Sequence, residues 1–292
     1  MIDHLDQLQA AEEFRKLAGF PVGIFLKVDT GYHRAGVEGC SFTFDLLVGT
    51  IRSMDDRDIL DFQGLYSHAG HSYGGDSDVA ALKLLNQEVK ILVMAADSAV
   101  KLLDHRKSFT LSVGATPTVT STQAIRQGVA DPENEHANIF LQTLKTVHES
   151  SNYTIELHAG VYPFLDLQQQ ATQASPSKNT SSPTLTEADI ALTILAEVSS
   201  KYPNRSEPEA LIAAGSLALG REPCKSYPGW GLVSDWGMNA SPAKHFQPLH
   251  PSGWQVGRIS QEHGILTRTA EGKGNAAKEL EVGQKVRIWP NQ

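Results

Sequence analysis

The chain has 292 residues, of which 40% are hydrophobic and 20% charged, and its formal net charge is −8 at pH 7. This composition is typical of a globular protein with room for one large domain or two ordinary ones. The acidic balance without a basic patch argues against a nucleic-acid partner, and no apolar run reaches the roughly 20 residues of a membrane span. Two distant cysteines and a start that lacks signal-peptide features predict a cytoplasmic protein.

The first half of the sequence alternates helical and extended patterns. Helices are predicted over residues 5–18, where Gly19 is the expected C-cap, over 42–56 and over 76–107. The last of these carries a regular apolar stripe formed by Val79, Leu82, Leu85, Val89, Leu92 and Ala96. Strands are predicted in "VGIFLKVDTG", "FQGLYSHAG", "FTLSVGATPT" and "YTIELHAGVY". Strands separated by helices favour βαβ units and a parallel sheet.

The composition changes after residue 170. Ser, Thr and Pro dominate residues 171–187, "ATQASPSKNTSSPTLTE", which predicts a flexible linker or insertion. Short apolar stretches then alternate with Gly and Pro turns, which predicts an antiparallel β domain over residues 188–292. The first domain is therefore expected to comprise residues 1–170.

Four predicted strands end in loops that combine glycine with His, Tyr, Thr or Arg. These junctions are "KVDTGYHRAG", "GLYSHAGHSY", "SVGATPT" and "ELHAGVY". Because the carboxyl ends of parallel strands meet at one edge of a sheet, four such junctions in order indicate the mouth of a barrel. In "SVGATPT", backbone N–H groups beside the glycine can bind a phosphate, but a plain strand-to-helix turn with a threonine cap explains the same pattern.

Several side chains at these junctions have two interpretations. His68 and His71 are spaced i, i+3 in a loop without a nearby Cys or carboxylate, which argues against a metal site. Tyr66 and Tyr73 are either core aromatics or ligand contacts, and the glycines beside Tyr73 favour a ligand contact. Lys27 alternates with its strand neighbours and is either a lysine whose stem is buried or a Schiff-base candidate.

The same segments resemble those of one enzyme family. "KVDTGYHRAG" resembles the K-x-D-x-G-x-x-R-x-G segment of the alanine-racemase-like barrels that bind pyridoxal phosphate. "GLYSHAGHSYG", "SVGATPT", "ELHAGVYPFLDLQQ" and "ISQEHGIL", in that order, resemble eukaryotic and particularly fungal D-serine dehydratases, with D-threonine aldolases as close relatives. The resemblance covers nearly all of the chain outside residues 171–187.

The resemblance implies a fold, a reaction and its cofactors. It implies an α/β protein in which a partial (β/α)8 barrel over residues 1–170 holds pyridoxal phosphate and an antiparallel β-rich domain over residues 188–292 follows. The family reaction converts D-serine to pyruvate and ammonia, with pyridoxal phosphate as electron sink and zinc assisting departure of the hydroxyl group. The implied partner is a small D-amino acid, and the complete protein is expected to be a homodimer.

The resemblance also assigns phosphate contacts. The implied residues lie in the third and fourth junctions: Gly114, Ala115, Thr116, Gly160 and Val161. Relatives often have a hydroxyl residue at the position of Ala115 and Asn at that of Val161. Backbone contacts survive both changes, whereas a side-chain hydrogen bond does not. The two glycine loops are expected to be neighbours in the fold.

Further roles concern the pocket. By the resemblance, Tyr66 and Tyr73 line the cofactor and substrate pocket, and Arg34 lies near the cofactor ring. His263, in "SQEHG", approaches the substrate pocket from the β domain.

Two parts of the family pattern are missing from this sequence. The family's Schiff-base lysine lies in a segment resembling R-P-H-x-K-T, which has no counterpart here, so no catalytic lysine is assigned and Lys27 is not promoted to that role. The family's zinc ligands follow "VRIWPN" as His-x-Cys, a segment that would come after Asn291, where Gln292 stands. We expect a chain truncated at both ends and inactive by itself. The alternatives are a D-threonine-aldolase-type lyase and a non-catalytic, phosphate-binding remnant.

Overall fold

The computed structural model describes residues 1–104, 108–126, 134–175, 185, 189–236, 252–270, 272 and 277–292. The chain divides into two compact units, one built mainly from Met1–Gly160 and the other from Val161–Gln173 and the chain that follows residue 178. Residues 161–170, expected in the first domain, therefore group with the second unit. No helix among the described residues is long and apolar enough to cross a membrane.

The first unit is a parallel sheet covered by helices. Its strands are β1 (Val22–Asp29), β2 (Val37–Glu38), β3 (Leu60–Tyr66), β4 (Phe109–Val113) and β5 (Tyr153–Leu157). They lie in the order β2-β1-β3-β4-β5, and every pairing is parallel. The helices are α1 (Leu8–Ala18), α2 (Phe42–Asp55), α3 (Asp78–Leu103), α4 (Thr116–Ser121), α5 (Gln123–Arg126) and α6 (Glu135–Ser150). The predicted parallel α/β architecture is confirmed.

The helix boundaries follow from local capping. Gly19 ends α1 with φ 81°, a left-handed conformation that glycine adopts without steric cost. Ser41 and Ser77 begin α2 and α3, and each side chain accepts a hydrogen bond from the backbone N–H group three positions on. Residues 105–107, at the end of the predicted third helix, lie outside the described residues. α1 buries only Leu8 and Ala11, and Leu17 near its end is 89% exposed.

The core of this unit lies between the sheet and the long helices. On β1, Ile24, Leu26 and Val28 point into the core, and the alternate residues face the other side of the sheet. The predicted stripe of α3 packs against this layer from Leu82 to Ala96, whereas Val79 in its first turn is 45% exposed. The sheet therefore has one helix-covered face and one face on which Lys27 and Tyr66 lie.

The second unit is a closed antiparallel barrel. Its elements are α7 (Leu167–Thr172), β6 (Ile194–Tyr202), β7 (Glu209–Ile212), α8 (Ser216–Leu219), β8 (Gly231–Asp235), β9 (Trp254–Ser260), β10 (His263–Arg268) and β11 (Lys285–Pro290). The strands follow the order β10-β7-β6-β11-β8-β9. The predicted antiparallel β domain is confirmed. Of the predicted linker, residues 171 and 172 are helical in α7, and residues 176–184, 186 and 187 lie outside the described part of the chain.

The end of β11 is held firmly within this unit. Asn291 is fully buried, and its side-chain amide donates to the carbonyl oxygens of Glu222 at 2.7 Å and Gly229 at 2.8 Å. The hydroxyl of Tyr227 donates to its Oδ1 atom. Every polar atom of the Asn291 side chain is thus satisfied, which fixes the backbone at this position.

The pairing of β3 with β4 depends on a glycine. Gly64 has φ +151°, and a Cβ atom built on it would lie 1.8 Å from the carbonyl oxygen of Thr110. We expect Gly64→Ala to lower the free energy of unfolding by about 2–4 kcal/mol, because the strand must move away from its neighbour. The midpoint of urea unfolding measures this change.

Gly49, inside α2, provides the matched control. A Cβ atom there would meet nothing within 4 Å. Gly49→Ala should therefore leave the midpoint unchanged or raise it slightly, since alanine favours a helix by about 0.5–1 kcal/mol over glycine. Equal midpoints for the two variants would contradict this account of the β3–β4 contact.

Candidate functional site

The ends of β3, β4 and β5 form the base of the candidate site. Tyr66 pairs with Ser112 and Ser112 with Glu156, so the three residues lie side by side across three strands. The ladder continues one residue further, because the amide of Ser67 donates to Ser112 O and that of His158 donates to Val113 O, each at 2.9 Å. The loops after these strands therefore start next to one another, as expected for the carboxyl edge of a parallel sheet.

A stack of flat rings lies at this edge. The rings of Tyr66 and His158 are stacked at 4.6 Å with an angle of 4° between their planes, and His68 lies 6.0 Å from His158 on a near-parallel plane. The amine of Lys27, at the end of β1, lies 4.7 Å from the centre of the Tyr66 ring, a cation–π distance. The arrangement gives the site a planar wall with a cation beside it.

The loop after β1 brings a second aromatic and a second cation. The ring of Tyr32 lies 6.0 Å from that of His68 and 5.9 Å from that of His71. The guanidinium of Arg34 lies 5.1 Å from the centre of the Tyr32 ring. This loop is shaped by Asp29, whose carboxylate accepts hydrogen bonds from the amides of Gly31 and His33. Arg34 thus lies at the same edge as Tyr66.

The positive charges and burial keep the histidines neutral. Burial, followed by the charge of Arg34, lowers the pKa of His68 to about 4. Burial also lowers the pKa of His158, with the Lys27 charge acting in the same direction. The pKa of Lys27 is itself lowered, first by burial and then by Arg34. Near neutral pH the stacked imidazoles are therefore uncharged rings.

A buried carboxyl group lies beneath the strand ends. Glu88, on α3, is 1% exposed, and Ser67 donates a hydrogen bond to its Oε1 at 2.6 Å. Its Oε2 has no hydrogen-bond partner among the described residues. Burial raises the pKa of Glu88 to about 7, against smaller lowering effects of Ser67, the Gly114 amide and the Lys27 charge. Sequence reasoning missed Glu88, although its place on the apolar stripe of α3 between Leu85 and Leu92 was a signal.

The loop after β4 requires its glycine. Gly114 has φ +127°, and a Cβ atom there would lie 2.8 Å from the carbonyl oxygen of His158. The Gly114 carbonyl is 3.1 Å from Nδ1 of His68. The amide of Ala115 donates to Oγ1 of Thr118 at 2.9 Å, and the buried Thr116 begins α4. The loop after β4 is therefore packed closely against the start of the loop after β5.

The remaining predicted residues are spread over both units. Gly160 is exposed after β5. Val161 belongs to the second unit, and its carbonyl oxygen accepts hydrogen bonds from the amides of Phe164 and Leu165. Tyr73 lies partly buried in the 3₁₀ turn Gly70–Gly74. His263 is exposed at the start of β10. The structure brings Tyr66, Gly114 and the start of the loop after β5 together. The ligand-binding roles of all the predicted site residues stay predictions.

Metal ligands are not gathered in the described part of the chain. No group of three or more His, Cys, Asp and Glu side chains there could hold a metal ion. The imidazole rings of His68 and His71 both pack against the ring of Tyr32. The residues described here therefore do not fit a zinc site of the usual three or four protein ligands.

Two family profiles match the chain, and so do curated enzymes. The profile described as alanine racemase, N-terminal domain, matches residues 1–130, and the one described as putative serine dehydratase domain matches residues 191–292. D-serine dehydratase of Schizosaccharomyces pombe is 34% identical over 100% of this chain and 60% of that protein. D-serine dehydratase of Saccharomyces cerevisiae is 32% identical over 99% of this chain and 60% of that protein. Over its whole length, this chain is similar to the D-serine dehydratases of these two fungi.

Solved structures agree with this relationship. D-threo-3-hydroxyaspartate dehydratase from Delftia sp. HT23 matches 100% of this chain and 64% of its own chain, with a TM-score of 0.65 and 25% identity. D-threonine aldolase from Filomicrobium marinum matches 100% of this chain and 61% of its own chain, with a TM-score of 0.57 and 19% identity. This match shows a shared fold alone. The resemblance predicted from the motifs is confirmed. This chain spans 60% of the length of the two fungal enzymes.

Glu88 makes stability depend on pH. Its folded-state pKa of about 7 lies above the ordinary value of 4.5, so its protonated form favours folding below pH 4.5 and this contribution is lost as the pH rises through 7. Glu88→Gln keeps the side chain neutral at every pH. Relative to the parent chain, we expect it to gain about 1–3 kcal/mol of unfolding free energy between pH 5 and pH 8.

The measurement is urea unfolding at several pH values in that range. Glu149→Gln is the control, because Glu149 is an exposed partner of Lys145 on α6. Its difference from the parent chain should stay nearly constant with pH. A Glu88→Gln variant that tracks the parent chain across the same range would refute the assigned protonation.

Proposed function

We propose that this chain carries the cofactor-binding surface of a pyridoxal-phosphate-dependent D-serine dehydratase, which converts D-serine to pyruvate and ammonia. The observation that carries the proposal is the convergence of Tyr66, His158 and Gly114 at one sheet edge, in a chain homologous over its whole length to enzymes named D-serine dehydratase. The match of residues 1–130 to an alanine racemase domain supports pyridoxal phosphate as the cofactor.

The strand-end site fits this cofactor in three respects. The parallel rings of Tyr66 and His158 provide a flat surface for a planar heterocycle. Nε2 of His158 is buried without a hydrogen-bond partner among the described residues, so a polar ligand atom has a complement there. The glycine of the loop after β4 permits a close backbone approach that any Cβ atom would block.

The roles of the chain's own residues follow from this geometry. When bound, pyridoxal phosphate withdraws electrons from the Cα atom of the amino acid and so supports loss of the β-hydroxyl group. Gly114, Ala115 and Thr116, with Gly160 and Val161, are proposed to bind the phosphate. The charges of Lys27 and Arg34 attract anionic groups to a site whose histidines are neutral.

The pocket residues act on orientation and access. Tyr66 and Tyr73 are proposed to confine the cofactor and substrate, and His263 to approach the substrate, a role that rests on sequence resemblance alone. A small D-amino acid is the proposed substrate, and a homodimer in the cytoplasm the proposed form and place of the complete enzyme. The free cysteines Cys40 and Cys224 are in keeping with a reducing compartment.

Cofactor binding is the first test. Pyridoxal phosphate titrated into the chain should quench protein fluorescence with one site per chain, and pyridoxal, which lacks the phosphate, should bind about tenfold or more weakly. Tyr66→Ala should weaken binding about three- to tenfold through loss of ring stacking. Tyr162→Ala, at a tyrosine that is 58% exposed, is the control and should bind as the parent chain does. Absence of saturable binding would reject the proposal.

The reaction is tested by exchange. The region of the S. pombe enzyme that this chain matches is replaced by this chain, and the hybrid is assayed with D-serine, D-threo-3-hydroxyaspartate and D-threonine. Ammonia and pyruvate from D-serine support the proposal, and oxaloacetate from the second substrate indicates a different dehydratase specificity. Aldehyde release from D-threonine indicates an aldolase, and cofactor binding without turnover indicates a non-catalytic homologue.

Zinc is proposed as a second cofactor of the complete enzyme, not as a resident of this chain. The described residues form no group of three ligands, and the carboxamide of Gln292 is a poor replacement for imidazole or thiolate. We expect the chain to retain well below one zinc ion after dialysis, as measured by atomic absorption. Stoichiometric zinc under these conditions would contradict the prediction.

A further inference from the structure

Three polar side chains at the ends of β4 and β5 form a connected row. The hydroxyl of Ser112 donates a hydrogen bond to Oε1 of Glu156 at 2.8 Å, and the same oxygen lies 3.0 Å from Nδ1 of His158. Ser112 is 3% exposed and Glu156 faces solvent, so the row runs from the sheet surface to the half-buried imidazole of His158. The function proposed above assigns none of its roles to Ser112 or Glu156.

The hydrogen atoms in this row can be assigned by counting donors. A serine hydroxyl has one proton, and a carboxylate accepts but does not donate. Because the Ser112 proton points to Glu156, the contact between Ser112 and His158 requires a proton on Nδ1. In a neutral imidazole, Nε2 is then bare.

The surroundings of Nε2 agree with this assignment. Nε2 is buried and has no hydrogen-bond partner among the described residues. A buried N–H group without an acceptor is rarer in proteins than an acceptor without a donor, so a bare nitrogen is the better occupant of this position. Burial and the Lys27 charge lower the pKa of His158, while the Gly114 carbonyl and Glu156 act in the opposite direction, so the ring stays neutral.

We propose that Ser112 and Glu156 are positioning residues that hold His158 as the Nδ1–H tautomer and present Nε2 as a hydrogen-bond acceptor at the strand-end site. Stacking on Tyr66 fixes the plane of the His158 imidazole. The hydrogen bonds from Glu156 through Ser112 fix the Nδ1 atom as the protonated nitrogen. Such outer partners commonly set the tautomer of functional histidines.

The row also defines what a ligand must provide. A ligand that reaches Nε2 has to donate a hydrogen bond, and a planar ring that carries an N–H or O–H group satisfies both the acceptor and the stacked surface. This step rests on the proposed function, because pyridoxal phosphate is the probe used below.

The test is nuclear magnetic resonance of the imidazole nitrogens through their coupling to ring protons, with His158 assigned by comparison with His158→Gln. In the parent chain near neutral pH, we expect a protonated Nδ1 and a bare Nε2. In Glu156→Ala the Ser112 hydroxyl is released to donate to Nδ1, so the proton should move to Nε2. In Ser112→Ala both tautomers should appear.

Thr154→Ala is the matched control, because Thr154 lies two residues before Glu156 on the same face of β5. Its imidazole spectrum should equal that of the parent chain. A bare Nδ1 in the parent chain, or an unchanged tautomer in Glu156→Ala, overturns the proposal.

Cofactor affinity separates this proposal from the proposed function. Glu156→Ala should weaken pyridoxal phosphate about three- to tenfold, the value of one hydrogen bond, in the same fluorescence titration. If His158 has the assigned tautomer but the chain does not bind pyridoxal phosphate, the proposed function is rejected and the positioning role of Ser112 and Glu156 is retained. If Glu156→Ala changes the tautomer of His158 but not the affinity for pyridoxal phosphate, Ser112 and Glu156 have no positioning role for this ligand. The proposed function then remains in place.

Discussion

The parallel register of β3, β4 and β5 is the constraint on which the candidate site depends. It aligns Tyr66 with Ser112 and Ser112 with Glu156, and residues aligned in this way share one face of the sheet. The close approach of β3 and β4 is possible because Gly64 has no Cβ atom opposite Thr110. A shift of one residue in either pairing would turn the side chains of the shifted strand toward the helix-covered face. The rings of Tyr66 and His158 would then no longer stack.

Two kinds of polar group meet at the strand ends, and they are stabilised differently. Glu88 approaches from the helix layer, where burial outweighs the effects of Ser67 and the Gly114 amide and favours the protonated carboxyl. His158 lies on the other side, stacked on Tyr66 and neutral because burial and Lys27 disfavour a positive ring. The uncharged state of these groups leaves Lys27 and the guanidinium of Arg34 as the cations of the site, which suits a ligand with anionic groups.

The second unit contributes a rigid frame for the end of β11. That strand pairs with β6 on one side and β8 on the other, and Asn291 is clamped between the carbonyls of Glu222 and Gly229. The direction of the backbone at Asn291 is therefore set by the barrel.

The amino-acid sequence by itself determined helices α1 to α3, strands β1, β3, β4 and β5, the glycine cap of α1, the change to an antiparallel domain and the similarity to fungal D-serine dehydratases. These properties depend on local periodicity, turn residues and short contiguous motifs. Only the tertiary structure decided that Glu88 is buried against Ser67, that His158 stacks on Tyr66 and that Ser112 links His158 to Glu156. Each of these contacts joins residues from different elements, and strand register together with side-chain packing selects them, so no local pattern records them.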